Sequence, residues 1–210
     1  GKETIIKDIN AMQGFGSRDV LCMDKTGTLT NESILLEYYM DVLGNESTEV
    51  LDYAYLNSYY HSGVRNPIDH AIVACESMPG KEKYFQDLIQ NYQKTDYSRK
   101  IVSTLVENGD ENILIVKGEI SHITQRCKYI EYRHQVMPME EDKIESVNAI
   151  VDEMLKDGMK VIAIAKKNVS TKTHVEPSDE EDLILMGYLA FFDAPKKTVK
   201  TSIEALQRLK

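Results

Sequence analysis

The stretch DVLCMDKTGTLTNES, residues 19–33, sets a carboxylate, Asp24, at the tip of an apolar run from Val20 to Met23. Lys25, Thr26, Gly27 and Thr28 follow at once. A short apolar run bounded by turn formers predicts a buried strand, and the carboxyl end of such a strand is where open α/β sheets bind ligands. Lys25 brings a cation beside the carboxylate, Thr26 and Thr28 supply hydroxyls, and Gly27 lets the backbone approach a ligand closely. Together these groups make a cradle for a phosphoryl group, with a carboxylate able to attack it. A lone Asp after a strand is more often a helix cap or turn residue; the neighbours are what favour chemistry at Asp24.

The remainder of the chain must position that stretch. Ser47 is a candidate N-cap for a helix over 47–63, with Val50, Leu51, Ala54 and Tyr55 on one face and Gly63 as its stop. Asn66 followed by Pro67 opens a second helix, and KEKYFQDLIQ (81–90) reads as helical. From residue 92 the pattern turns to strands: YQKTDY, KIVSTLVE and NILIVKG, with ENGDEN (107–112) as a hairpin loop. EISHITQRC (119–127) reads as a helix and KYIEYR as a strand. Ile144, Val147, Ile150, Val151, Met154 and Leu155 recur at helical spacing, and Gly158 sits at the C-terminal cap position. KVIAIAKK (160–167) and LILMGYLAFF (183–192) read as strands, STKTHVEPSDEED (170–182) as a loop, and KKTVKTSIEALQRL as a final helix. Strands with interspersed helices, rather than strict alternation, predict an α+β body with a largely antiparallel sheet. The two ends read as parts of one α/β unit into which that body is inserted.

Bulk composition narrows the function. The 210 residues suffice for one large domain or two small ones. Net charge is −9, no basic stripe is visible, and nucleic acid is therefore excluded as a partner. An anionic ligand would need a local cluster of Lys and Arg working against the overall field. No apolar stretch reaches the length of a membrane span, and the longest, residues 183–192, is interrupted by Gly187. The chain itself is expected to be soluble, and its abrupt ends suggest a piece of a longer protein. Cys22, Cys75 and Cys127 are widely spaced and read as reduced core cysteines. The five histidines show no metal-ligand spacing.

DKTGTLT resembles the phosphorylation signature of the P-type ATPases, ion pumps that form an aspartyl-phosphate in each cycle. The resemblance implies a haloacid-dehalogenase-like α/β phosphorylation domain, only partly present here, split by an inserted α+β nucleotide-binding domain with a largely antiparallel sheet and flanking helices. Residues 1–33 would be the first phosphorylation segment, 34–190 the nucleotide-binding domain and 191–210 the return segment. DAPKKT (193–198) is similar to the family's hinge motif at that return. Asp24, Lys25 and Thr26 would be catalytic, with Asp24 and Thr26 also on the metal, Mg²⁺. Related phosphatases carry an acid where Thr26 stands; a hydroxyl there cannot act as acid or base at neutral pH, which would prolong the phosphoenzyme.

Other segments resemble the nucleotide pocket. VKGE (116–119) implies Lys117 and Gly118, RNPIDHAI (65–72) implies Asp69 facing the adenine, DYSRKIVS (96–103) implies Tyr97 stacking with Lys100 as a nearby cation, and GMKVIAIA implies Lys160. Taken singly, Lys117 reads as a solvated lysine, Tyr97 as a half-buried sheet residue, and Asp69 as a first-turn acid favouring the helix dipole. The segments LNSYYHSGVRNPIDHAIV and DLILMGYLAFFDAPKKT look most like the bacterial magnesium-transporting subgroup, with calcium pumps next. The resemblance thus implies the ATP-binding cytoplasmic portion of a plasma (inner) membrane pump. Its partners would be ATP and the remaining phosphorylation, actuator and transmembrane parts of the same full-length chain. A stand-alone dehalogenase-like phosphatase and a non-catalytic interaction domain are the alternatives.

Overall fold

A computed structural model of the protein describes residues 34–60, 66–75, 88–90, 100–108, 110–170, 172 and 175–193. In chain order these form β1 (Ile34–Asp41), α1 (Thr48–Tyr59), α2 (Pro67–Val73), β2 (Leu88–Gln90), β3 (Ile101–Asn108), β4 (Glu111–Glu119), α3 (Ile120–Thr124), β5 (Cys127–Tyr132), β6 (Gln135–Pro138), α4 (Glu141–Lys156), β7 (Met159–Asn168), a 3-10 turn at Pro177–Glu180 and β8 (Leu183–Asp193). The strands build one sheet in the order β2-β3-β4-β7-β8-β5-β6. β7 pairs along one edge of β8. The other edge is shared end to end, with β5 against Leu183–Leu185 and β1 against Gly187–Asp193. The β5–β8 pairing is parallel and every other is antiparallel. The α+β class with a largely antiparallel sheet is thus as expected.

Both faces of this sheet are covered, which is why β4 reads as a continuous apolar run rather than an alternating one. Leu114 and Val116 face a core shared with Val147, Ile150, Val151 and Met154 of α4. Ile113 and Ile115 face the opposite core, with Val50, Leu51, Ala54 and Tyr55 of α1 and Ile72 of α2. Gly187, inside the long apolar strand β8, is required by close packing: a Cβ there would stand 2.0 Å from the carbonyl oxygen of Met40 on β1.

The helix starts follow their caps. Ser47 Oγ accepts from the Val50 amide at 3.3 Å, and Asn66 Oδ1 from the Asp69 amide at 2.8 Å. Gly158 follows α4 with φ +82°. Four readings need correction. Leu88–Gln90 is a strand paired with β3, not helix, because an open sheet edge captures it. Ile144 and Leu155 are 40% and 48% exposed, so the buried stripe of α4 is narrower than its apolar spacing. Cys127 is a free thiol, but the buried Cys75 is disulfide-bonded, so its burial shields a bridge rather than a reduced cysteine. Strands β1 and β6 were not anticipated. The DVLCM strand, YQKTDY and the C-terminal helix lie outside the described residues.

Candidate functional site

Where β3 and β7 begin and β4 ends, a cavity of about 700 Å³ opens at the end of these strands. Lys100, Lys117, Gly118, Glu119 and Lys160 line it, with Ile68, Ile101, Ile120 and Leu155 among its apolar walls. Gly118 pairs with Ile101 across the strands. A Cβ on Gly118 would lie 2.4 Å from the Lys100 carbonyl oxygen and 3.1 Å from Ile101 Cα, so no side chain fits there with β3 in place. Lys100 enters β3 with φ +53°, and its ammonium is 3.5 Å from Glu119 at the exposed mouth. Lys160 is exposed on β7.

Lys117 differs from the other two lysines: its side chain is only 5% exposed. Its Nζ donates to Asn57 Oδ1 at 2.8 Å and pairs with Asp69 Oδ1 at 3.0 Å. Asp69 Oδ1 also accepts from Ser58 Oγ at 2.8 Å. The Asn57 amide nitrogen donates to two carbonyls, Val102 O on β3 at 3.0 Å and Ile115 O on β4 at 2.9 Å. The end of α1, the start of α2 and two strands are thereby tied through one polar network in an otherwise apolar layer. Burial pushes the Lys117 ammonium below the usual lysine range, opposed by the charge of and hydrogen bond to Asp69. A buried cation so held is one that a ligand's acceptor atoms or negative charge would stabilise further.

Of the residues singled out in the sequence, Lys100, Lys117, Gly118 and Lys160 converge on this cavity. Asp69, expected to face the adenine, is fully buried and engaged by Lys117 and Ser58, with its helix contributing Asn66 and Ile68 to the lining instead. Asp24, Lys25, Thr26 and Tyr97 lie outside the described residues. Asn57 and Ser58 were missed. The signal was present in YLNSYY, an adjacent polar pair in the last turn of a helix whose other buried members are apolar or aromatic.

Residues 63–198 match the family model of the P-type ATPase cytoplasmic domain N, and the chain belongs to that family. Among curated proteins it is similar to the "Magnesium-transporting ATPase, P-type 1" of Escherichia coli K12, at 33% identity over 98% of this chain and 23% of that protein. The protein of the same name from Salmonella typhimurium LT2 is 32% identical over the same shares. A calcium-transporting ATPase of Listeria monocytogenes is 26% identical over 97% of this chain and 26% of its own length. The chain therefore spans about a quarter of the length of these relatives.

Proposed function

We propose that this chain is the ATP-binding part of a P-type cation pump and that the nucleotide sits in the cavity between β3, β4 and β7. The observation that carries the reading is the convergence of Lys100, Lys117, Gly118 and Lys160 on one cavity in a chain of net charge −9. A concave, largely apolar site with a few placed polar groups suits a nucleotide. Its apolar walls would take the base, Gly118 would let β3 close against β4 and so bring Lys100 to the mouth, and Lys100 and Lys160 at the exposed side would meet the phosphates. Tyr97 would add stacking, worth roughly 1–3 kcal/mol. Asp69 would act through Lys117, holding its ammonium, rather than by touching the base. A millimolar site needs only about 4 kcal/mol.

In the full-length pump the γ-phosphoryl group would pass to Asp24, forming an acyl phosphate that Thr26 cannot help to hydrolyse. Residues 1–33 and the stretch up to 210 that follows β8 would be the two segments of a split dehalogenase-like domain around the nucleotide-binding domain. Because β8 keeps Phe191, Phe192 and Asp193 in the sheet, the return would fall after Asp193 rather than at the expected 190/191 boundary. Mg²⁺ would be held near Asp24 and Thr26. Among the described residues no group of three or more acidic, His or Cys side chains is arranged to hold a metal. The cargo is proposed to be magnesium, as named for the Escherichia coli and Salmonella relatives, in an inner-membrane protein whose ATP-binding part faces the cytoplasm. A calcium-type pump is the second reading, favoured by the Listeria relative.

Titrating ATP into the isotope-labelled chain tests the site. Shifts are expected at Lys117, Gly118, Lys160 and Tyr97, and Tyr97→Ala should weaken them. Shifts confined to Asp24 and its neighbours would reject the cavity. In the full-length pump, Asp24→Asn should abolish an acid-stable, hydroxylamine-labile phosphoenzyme while sparing ATP binding; labelled phosphate persisting on that variant would remove Asp24 from its role.

A further inference from the structure

The orientation of the Asn57 amide is fixed by chemistry. Val102 O and Ile115 O are carbonyls and can only accept, so the amide nitrogen must face them and Oδ1 must face Lys117. An ammonium has three N–H donors. Asn57 Oδ1 takes one and Asp69 Oδ1 another. We propose that Asn57 is a positioning residue of this pocket: pinned to β3 and β4, it fixes the Lys117 ammonium so that its remaining N–H is offered to an acceptor atom of the bound nucleotide. The inference rests on reading the cavity as the nucleotide site, but the hold of Asn57 on Lys117 does not require a ligand.

The groups facing Lys117 are few. Asp69 of α2 is the one charge in contact with it among the described residues. Asn57 and Ser58 of α1 act on it directly and through Asp69. Lys100, Glu119 and Lys160 line the same cavity from its exposed side, where solvent screens them. Burial disfavours the charged form of Lys117, so each acceptor on the ammonium counts toward keeping it protonated. Removing the Asn57 oxygen should let the proton leave at lower pH. Replacing the amide by a carboxylate should hold it to higher pH. A group that merely braced the helix against the sheet would not shift the titration in opposite directions.

The experiment uses the 210-residue chain with Lys117 followed through its 13Cε resonance against pH, without ligand and with ATP. Asn57→Leu is expected to lower the Lys117 midpoint by about one to two pH units, the scale of one hydrogen bond to a charged group. Asn57→Asp is expected to raise it, and this near-isosteric variant carries the test if Asn57→Leu does not fold. The alkaline loss of ATP affinity should move with the midpoint in each variant. Leu51→Ala, which removes core packing from the same helix, should leave the midpoint in place. Midpoints unmoved by both Asn57 variants, or moved alike by them and by Leu51→Ala, would overturn the assignment even if ATP binds. Midpoints that move in opposite directions while ATP fails to bind would leave Asn57 holding Lys117 and reject the nucleotide reading instead.

Discussion

Lys117 Nζ stands 3.0 Å from Asp69 Oδ1 with the two side chains 5% and 0% exposed. Charges so deep in a sheet–helix layer cost more to desolvate than a surface pair, and burial prevails over the pair in setting the Lys117 proton affinity. Cutting the pair on one side should therefore be worse than removing it. Asp69→Ala is expected to cost about 3–5 kcal/mol in urea unfolding, because it strands a buried ammonium. The double variant Asp69→Leu with Lys117→Met should recover much of that loss while abolishing ATP binding. Strictly additive single-variant losses would show that the two residues are not coupled.

Gly118 and Ile101 face each other across β3 and β4 with no room for a methyl group, since the atoms a Cβ would meet are backbone. Backbone cannot rotate aside as a side-chain end can. Gly118→Ala should push the start of β3 away from β4, lowering stability by about 1–3 kcal/mol and displacing Lys100 at the mouth. Calorimetric titration with ATP should register weaker binding as well. Wild-type affinity in this variant would mean that the close approach of the two strands serves the fold alone.

The sequence made some of this site legible and not the rest, for physical reasons. The caps of α1 and α2, and the continuous apolar runs of β4, β7 and β8, follow from local chemistry, so these elements were readable. β6 is four residues long and ends in Pro138, and β2 is a three-residue strand taken from a segment of helical character; both depend on a neighbouring strand that no local pattern reveals. Lys117, Gly118 and Asp69 were found through motifs, but Asn57 was not, nor was the pairing of Asp69 with Lys117. Asn57 and Asp69 reach it only because α1 and α2 pack together on one face of the sheet. Asp69, read in isolation as a first-turn acid, became a buried counter-ion through packing that sequence spacing does not encode.

The β5–β6 hairpin carries a local conflict that substitution should relieve. Tyr132 pairs with Gln135, leaving Arg133 and His134 as a two-residue turn with φ +52° and +65°. Consecutive left-handed residues favour Asn-Gly, not side chains of this size. Arg133→Asn with His134→Gly is expected to stabilise the chain by about 1–2 kcal/mol. The exposed His134–Glu49 contact at 3.6 Å and that of the Arg133 guanidinium, 5.1 Å from the Tyr132 ring centroid, are lost, and they offset only part of this. Denaturant unfolding measures the gain; an unchanged or lowered midpoint would show that the turn is already relaxed.

Cys127 offers a pH test of the packing beside β8. It pairs with Leu183, packs against the core on the α4 side of the sheet, and burial pushes its thiol up to about 12 from an ordinary 9.0. The raised value means that the folded chain keeps the proton when the unfolded chain has released it. That stabilisation is fully present below pH 9 and is lost as pH climbs from 9 towards 12, at up to about 1.4 kcal/mol per pH unit. Tyr53, raised from 10.0 to about 12 chiefly by burial, adds a loss of the same sign above pH 10. Lys117, held below 10.5, contributes with the opposite sign in this range, so the cysteine is isolated by comparing the two chains between pH 9 and 10. There, Cys127→Ala should flatten the fall in unfolding free energy relative to the unmodified chain, whatever its effect on stability at pH 7. The native thiol should also react slowly with iodoacetamide at pH 8 and rapidly in urea, since the thiolate is the nucleophile. Equal slopes in the two chains, or fast native alkylation at Cys127, would show that the thiol is far less enclosed than its contacts imply.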